Sequence, residues 1–188
     1  MRGLRVHVVL LCACVLFAAG CGGGGEAASP GRTDASRVAG GGGGGAGRAP
    51  LTGPARVSFT ARADRLCRRS HVAVGKVGRR LRDLASAAQR RRVSRASYLA
   101  GAADLTAQAA RIARGALDSL RALPDPHDAR FTAYLRASSL QVGYLNREVP
   151  ALRRGDLRAT GRLNAALGRN GRRVQTAARS FGFRVCGG

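Results

Sequence analysis

From Phe59 to Phe181, apolar residues recur at alternating spacings of four and three. That spacing lays a single stripe along an α-helix of 3.6 residues per turn. The first stripe runs through Ala63, Cys67, Ser70, Val74, Val77, Leu81, Leu84 and Ala88. The second has Ser94 as N-cap and passes through Tyr98, Ala102, Leu105, Ala109, Ile112, Ala116, Leu120 and Leu123. Pro124 and Pro126 stop it, because proline lacks a donor and disfavours helix just before itself. A third stripe takes in Phe131, Tyr134 or Leu135, Ser138, Val142, Leu145, Val149 and Leu152, with Pro150 expected to kink the helix or fray its last turn. Gly155 and Asp156 supply a turn and an N-cap. The fourth stripe follows through Leu157, Thr160, Asn164, Leu167, Gly171, Val174, Ala178 and Phe181. Gly182 stands where a left-handed C-terminal cap belongs, with Phe183 as its apolar companion. No run of alternating β-branched residues suggests a strand.

Four amphipathic helices joined by short turns predict an all-α fold, an up-down-up-down four-helix bundle over residues 56–188. In that topology the start of the first helix and the end of the fourth share one end of the bundle. Cys67 and Cys186 therefore can meet, closing a loop of about 120 residues.

The segment ahead of the bundle is of another kind. Arg2 and Arg5 precede an apolar stretch over 6–17, interrupted by His7, in the manner of a secretory signal. About 14 helical residues reach only about 21 Å, short of a hydrocarbon core of about 30 Å. Residues 1–20 are thus expected to be a signal peptide. It ends Leu16-Phe17-Ala18-Ala19-Gly20-Cys21, which resembles the bacterial lipobox, although Ala18 stands where Leu or Val is usual. The resemblance implies lipid on Cys21 and a domain held at the outer face of the bacterial cell membrane. Cys12 and Cys14 would leave with the signal. The remaining pair, Cys67 and Cys186, would form a disulfide in an oxidising compartment.

Residues 21–55 hold two glycine runs, 22–25 and 40–45, and no apolar period. Such a segment cannot bury enough to offset its ordering entropy, so a disordered tether is expected. Its typical span is about 30–35 Å. The run at 22–25 is no phosphate loop, since it follows no strand and lacks the Lys-Ser/Thr of that motif.

Composition changes the picture in one respect. The chain of 188 residues carries a formal net charge of +23, and every cationic side chain except Lys76 is arginine. Such a surface suits polyanions. A GC-rich genome would enrich Arg, Ala and Gly together, so placement matters more than total. Arg90, Arg91, Arg92 and Arg95 surround the first turn, and Arg153, Arg154, Arg158 and Arg162 surround the third. An up-down-up-down bundle brings both turns to the end opposite the disulfide. The expected partners of such a tip are anionic cell-wall polymer, lipid headgroups or an acidic protein. Nucleic acid fits poorly, because no aromatics interleave with the arginines as a stacking platform would need.

Enzymatic and cofactor motifs are missing. Glu148 is the one glutamate after the tether, so the Glu and Glu-x-x-His set of a di-iron bundle cannot form. No Cys-x-x-Cys-His is present for covalent haem. His71, four residues after Cys67, is better explained as a partly exposed packing residue than as a metal ligand. No nucleophile-elbow sequence accompanies the serines. The expectation is a non-enzymatic interaction module without cofactor or metal. The alternative is a small-ligand-binding bundle whose cavity is lined by Ser70, Ser138, Thr160 and Asn164.

The lipobox, the glycine tether, "RADRLC" at 62–67 and "SFGFRVC" at 180–186 together resemble small lipoproteins of GC-rich actinobacteria. The resemblance spans most of the chain. It implies an address and a helical fold, and no mechanism.

Overall fold

Pro54 sits in the first turn of α1 (Gly53–Gln89), where its missing N–H has no helical partner to lose. The structure is a computed structural model and describes residues 52–124 and 126–187. The signal peptide, Cys21 and most of the tether lie outside the described residues. α1 starts well before Phe59, inside the segment read as tether. The apolar period cannot report this turn, because its side chains, Val57 included, are largely exposed.

α2 (Arg95–Arg121), α3 (Ala129–Arg153) and α4 (Leu157–Phe181) complete the fold, and no strand occurs among the described residues. Side-chain oxygens close three helix starts by accepting backbone N–H groups that the helix leaves orphaned. Ser94 accepts from Ser97 at 3.0 Å, Asp128 from Arg130 at 2.8 Å and Asp156 from Ala159 at 2.9 Å. α3 runs through Pro150 and stops at Arg153, within a turn of it. α4 ends at Gly182, whose φ of 101° is the left-handed cap expected there. The Phe183 N–H then returns to the Ala178 carbonyl at 3.0 Å.

Two apolar clusters give the direction of each helix. Phe59, Ala63 and Cys67 of α1 meet Leu120 of α2, Phe131 and Tyr134 of α3, and Val174 and Phe181 of α4. Val77 and Leu81 of α1 meet Ala102 and Leu105 of α2 and Leu152 of α3. The start of α1 and the end of α4 therefore share one end with the α2–α3 connection. The α1–α2 and α3–α4 turns share the other.

The two ends differ in composition. Phe59, Phe131, Phe181 and Phe183 converge with edge-to-face and tilted ring contacts, 5.1 Å between Phe59 and Phe131 and 4.7 Å between Phe181 and Phe183. Such pairs add about 1 kcal/mol each beyond the area they bury. At this end Cys67 and Cys186 form the disulfide, with their Cα atoms 5.0 Å apart. The Tyr134 hydroxyl lies 3.7 Å from the Cys67 Sγ and donates to the Cys186 carbonyl at 3.5 Å. Burial pushes its pKa up to about 12. The opposite end packs mainly aliphatic side chains, with Tyr98 of α2 also buried there.

Candidate functional site

Each arginine singled out at the two turns is exposed: Arg90, Arg91, Arg92, Arg95, Arg153, Arg154, Arg158 and Arg162. The turns are neighbours in space. Gly155, in the α3–α4 turn, lies so close to Leu99 near the start of α2 that a Cβ there would stand 3.6 Å from a Leu99 methyl. Arg153 pairs with Asp104 of α2 at 3.4 Å. The structure thus gathers arginines distant in sequence at one end of the molecule, away from the disulfide.

The acids nearby do little to neutralise them. Asp156 is engaged as the α4 cap. The Asp104–Arg153 pair is open to water on both sides, and exposed pairs of this kind contribute under about 1 kcal/mol. The remaining arginines of the cluster have no ion pair among the described residues.

Helix electrostatics account for part of the cluster and oppose the rest. Arg90, Arg153 and Arg154 stand at the C-terminal ends of α1 and α3, where the backbone carries partial negative charge and a cation is favoured. Arg95 and Arg158 lie in the first turns of α2 and α4, where the sign is reversed, and neither first turn holds an acid. Arg91 is the least expected. Its φ is 56°, the left-handed conformation just past a helix end that glycine normally takes. Its N–H reaches the Ala88 carbonyl at 3.0 Å and that of Arg92 reaches Ala87 at 2.9 Å. An L-residue there costs about 1 kcal/mol relative to glycine.

The residues expected to line an interior cavity lie on three helices. Thr160 and Asn164 are buried in α4, while Ser70 and Ser138 are half-buried in α1 and α3. Thr160 donates back to the Asp156 carbonyl at 2.9 Å. The Asn164 amide meets Glu148, which is ten residues along α3 from Ser138, about 15 Å.

Among the buried polar residues that escape the sequence reading, Asn170, Gln141 and Glu148 join α3 and α4. Asn170 of α4 donates to the Ala137 carbonyl at 2.8 Å and to the Gln141 side chain at 2.9 Å, tying α4 to α3. Glu148 is 3% exposed. Its Oε2 has no hydrogen-bond partner, and burial raises its pKa to about 7 against the opposing Asn164 amide. The signal for it was its spacing, three residues past Leu145 and four before Leu152, which puts it on the same stripe as its neighbour Val149. His71 is half-buried as expected, and desolvation lowers its pKa while Asp64 opposes the shift. No group of three or more metal-ligating side chains occurs among the described residues.

No protein-family model, curated protein or solved structure matches this chain.

Proposed function

We propose that the chain is a membrane-tethered extracytoplasmic lipoprotein whose helical domain is a non-enzymatic module, presenting its arginine tip to anionic envelope polymers or lipid headgroups. The observation that carries this reading is the placement of Arg91, Arg95 and Arg158. These stand where local backbone energetics disfavour a cation or an L-residue, and yet they share one end with the other arginines. Codon bias explains an arginine count. It does not explain arginine at a glycine position beside two helix starts. Guanidinium groups bind phosphate and carboxylate bidentately, and an array of them binds a polymer of either.

The address rests on the signal-like residues 1–20, the lipobox-like run ending in Cys21, and the tether. It also fits a disulfide as the staple of the domain. No helix among the described residues is long and apolar enough to cross a membrane. Replacing Cys21 with Ser should shift the protein from the detergent phase to the medium, or leave it uncleaved. A wild-type protein recovered free and unlipidated sinks the anchor.

Binding to anionic vesicles or wall phosphate polymers should weaken steeply with salt, because the screening length shrinks from about 10 Å at 0.1 M to about 3 Å at 1 M. Changing Arg91, Arg92, Arg153 and Arg154 to Gln should abolish most of the binding to wall phosphate polymers. Changing Arg111, Arg114, Arg130 and Arg136, which lie elsewhere, should cost far less. The single variant Arg91→Gly should stabilise the fold by about 1 kcal/mol while weakening binding, since it relieves the left-handed residue and removes a charge. Equal binding losses from the two sets of four would leave overall charge as the only determinant.

A further inference from the structure

We infer that the cleft between the start of α1 and the C-terminal tail, at the disulfide end, is a second binding site, which takes the phosphate headgroup and adjoining glycerol-acyl carbons of an anionic membrane lipid. The cleft has a volume of about 520 Å³. That lies within the range of about 300–1,000 Å³ usual for small-molecule sites.

Its tail wall is held in place. One oxygen of Asp64 in α1 accepts the Arg184 N–H at 3.0 Å, and the other accepts those of Val185 at 2.9 Å and Cys186 at 3.2 Å. The disulfide fixes the same tail at Cys186. A cleft built this way is preformed, so a ligand need not order it. Asp64 keeps its charge but turns both oxygens to the tail backbone, and Arg65, Arg68 and Arg184 outnumber it at the cleft.

Arg56 is committed elsewhere. Its guanidinium stacks over the Phe181 ring at 4.9 Å and donates to the Phe181 carbonyl at 2.6 Å. Arg65, Arg68 and Arg184 are exposed around the cleft and have no side-chain hydrogen bond or ion pair among the described residues. Arg65 and Arg68 are three apart on α1 and so project from one face. With Arg184 across the cleft they can converge on one phosphate.

The same cleft has an apolar side. Val57, 68% exposed and the most exposed large hydrophobic among the described residues, lines it with Ala61 and Val185. Both walls carry arginine and valine, Arg65, Arg68 and Val57 on α1 and Arg184 and Val185 on the tail, so the cleft offers cationic and apolar contacts together, as a molecule with an anionic group and adjoining hydrocarbon needs. Charge argues against the chain's own preceding segment as occupant, since residues 22–51 carry Arg32, Arg37 and Arg48 against Glu26 and Asp34. A free phosphate would leave the valines unused. The choice of a membrane lipid as the source rests on the envelope reading, and the site's chemistry does not.

The test titrates the full chain by calorimetry with dihexanoyl phosphatidylglycerol, dihexanoyl phosphatidylcholine and glycerol phosphate, each below any micelle-forming concentration. Phosphatidylglycerol should bind with saturation and the other two much more weakly. Changing Arg65, Arg68 and Arg184 to Gln should weaken that binding by about tenfold or more, given the strength of charge-assisted hydrogen bonds. Val57→Asp should weaken it too, and the variant with Gln at Arg91, Arg92, Arg153 and Arg154 should bind as wild type does. Unchanged helical circular dichroism and an intact disulfide certify the fold of each variant. Absent binding, equal binding of the neutral lipid or of glycerol phosphate, or a loss confined to the tip variant overturns the cleft. The last of these would place the short lipid at the tip, and the others leave the tip to its own test with salt and the two arginine sets. None of these arms requires lipid on Cys21.

Discussion

Raising the pH from about 4 to about 8 should cost the folded domain on the order of 3 kcal/mol through Glu148 alone, and Glu148→Gln should remove that loss. The folded state holds the Glu148 proton more tightly than the unfolded chain, because burial lifts the carboxyl from 4.5 to about 7. Its contribution is therefore fully present below the unfolded value of 4.5 and is lost as pH rises through about 7. Above that pH the domain keeps a buried carboxylate whose Oε2 finds no donor. A neutral amide of the same shape avoids the charge, so Glu148→Gln should be the more stable protein at about pH 8 and near wild type at about pH 4. Two other groups act with opposite sign. His71 has a lowered pKa, so its contribution is lost as pH falls through the folded value. Asp128 is held low chiefly by its hydrogen bond to Arg130, and its contribution is lost only in stronger acid. Urea denaturation across the pH range, with the disulfide intact, reads the sum, and the difference between wild type and Glu148→Gln isolates Glu148. Parallel profiles for the two proteins would sink the assignment.

Loss of the disulfide should be as damaging. The bond joins residues 119 apart. The chain-entropy model then gives an upper estimate of about 5 kcal/mol for its removal. For a domain of this size, Cys186→Ala should lower the melting temperature by about 10 °C or more. The bond also seats the tail, whose Phe183 packs against Tyr134 at 5.1 Å and against Phe181. The damage should accordingly spread through the aromatic end and spare the aliphatic end, where no tail residue packs among the described residues. Hydrogen exchange on oxidised and reduced protein separates the two ends, and calorimetry gives the melting temperatures. A shift of only a degree or two, or equal loosening of both ends, would contradict this account.

The stop and start residues were legible because each acts locally. Ser94, Asp156 and Gly182 satisfy or terminate a helix through groups within a few residues of themselves, so their roles survive without tertiary information. The stripes were legible for a related reason, since period 3.6 is a property of one helix. Their width was not. Ala103, Thr106, Ala110 and Leu117 are buried in α2 beside the expected positions, because α2 meets both α1 and α3. Between Glu148 and Val149, adjacent positions on one stripe, periodicity prefers the valine on hydrophobicity. The neighbouring α4 decides otherwise and buries the glutamate against Asn164.

By itself, then, the sequence determined four helices, their turns and the pairing of Cys67 with Cys186, all set by local backbone chemistry and by counting. Tertiary structure alone decided that Asp64 ties the tail across α1 to form a cleft, and that a carboxyl group lies in the interior. Each of these depends on what a second or third segment places beside the residue. That is a matter of distance in space, and spacing along the chain does not encode it.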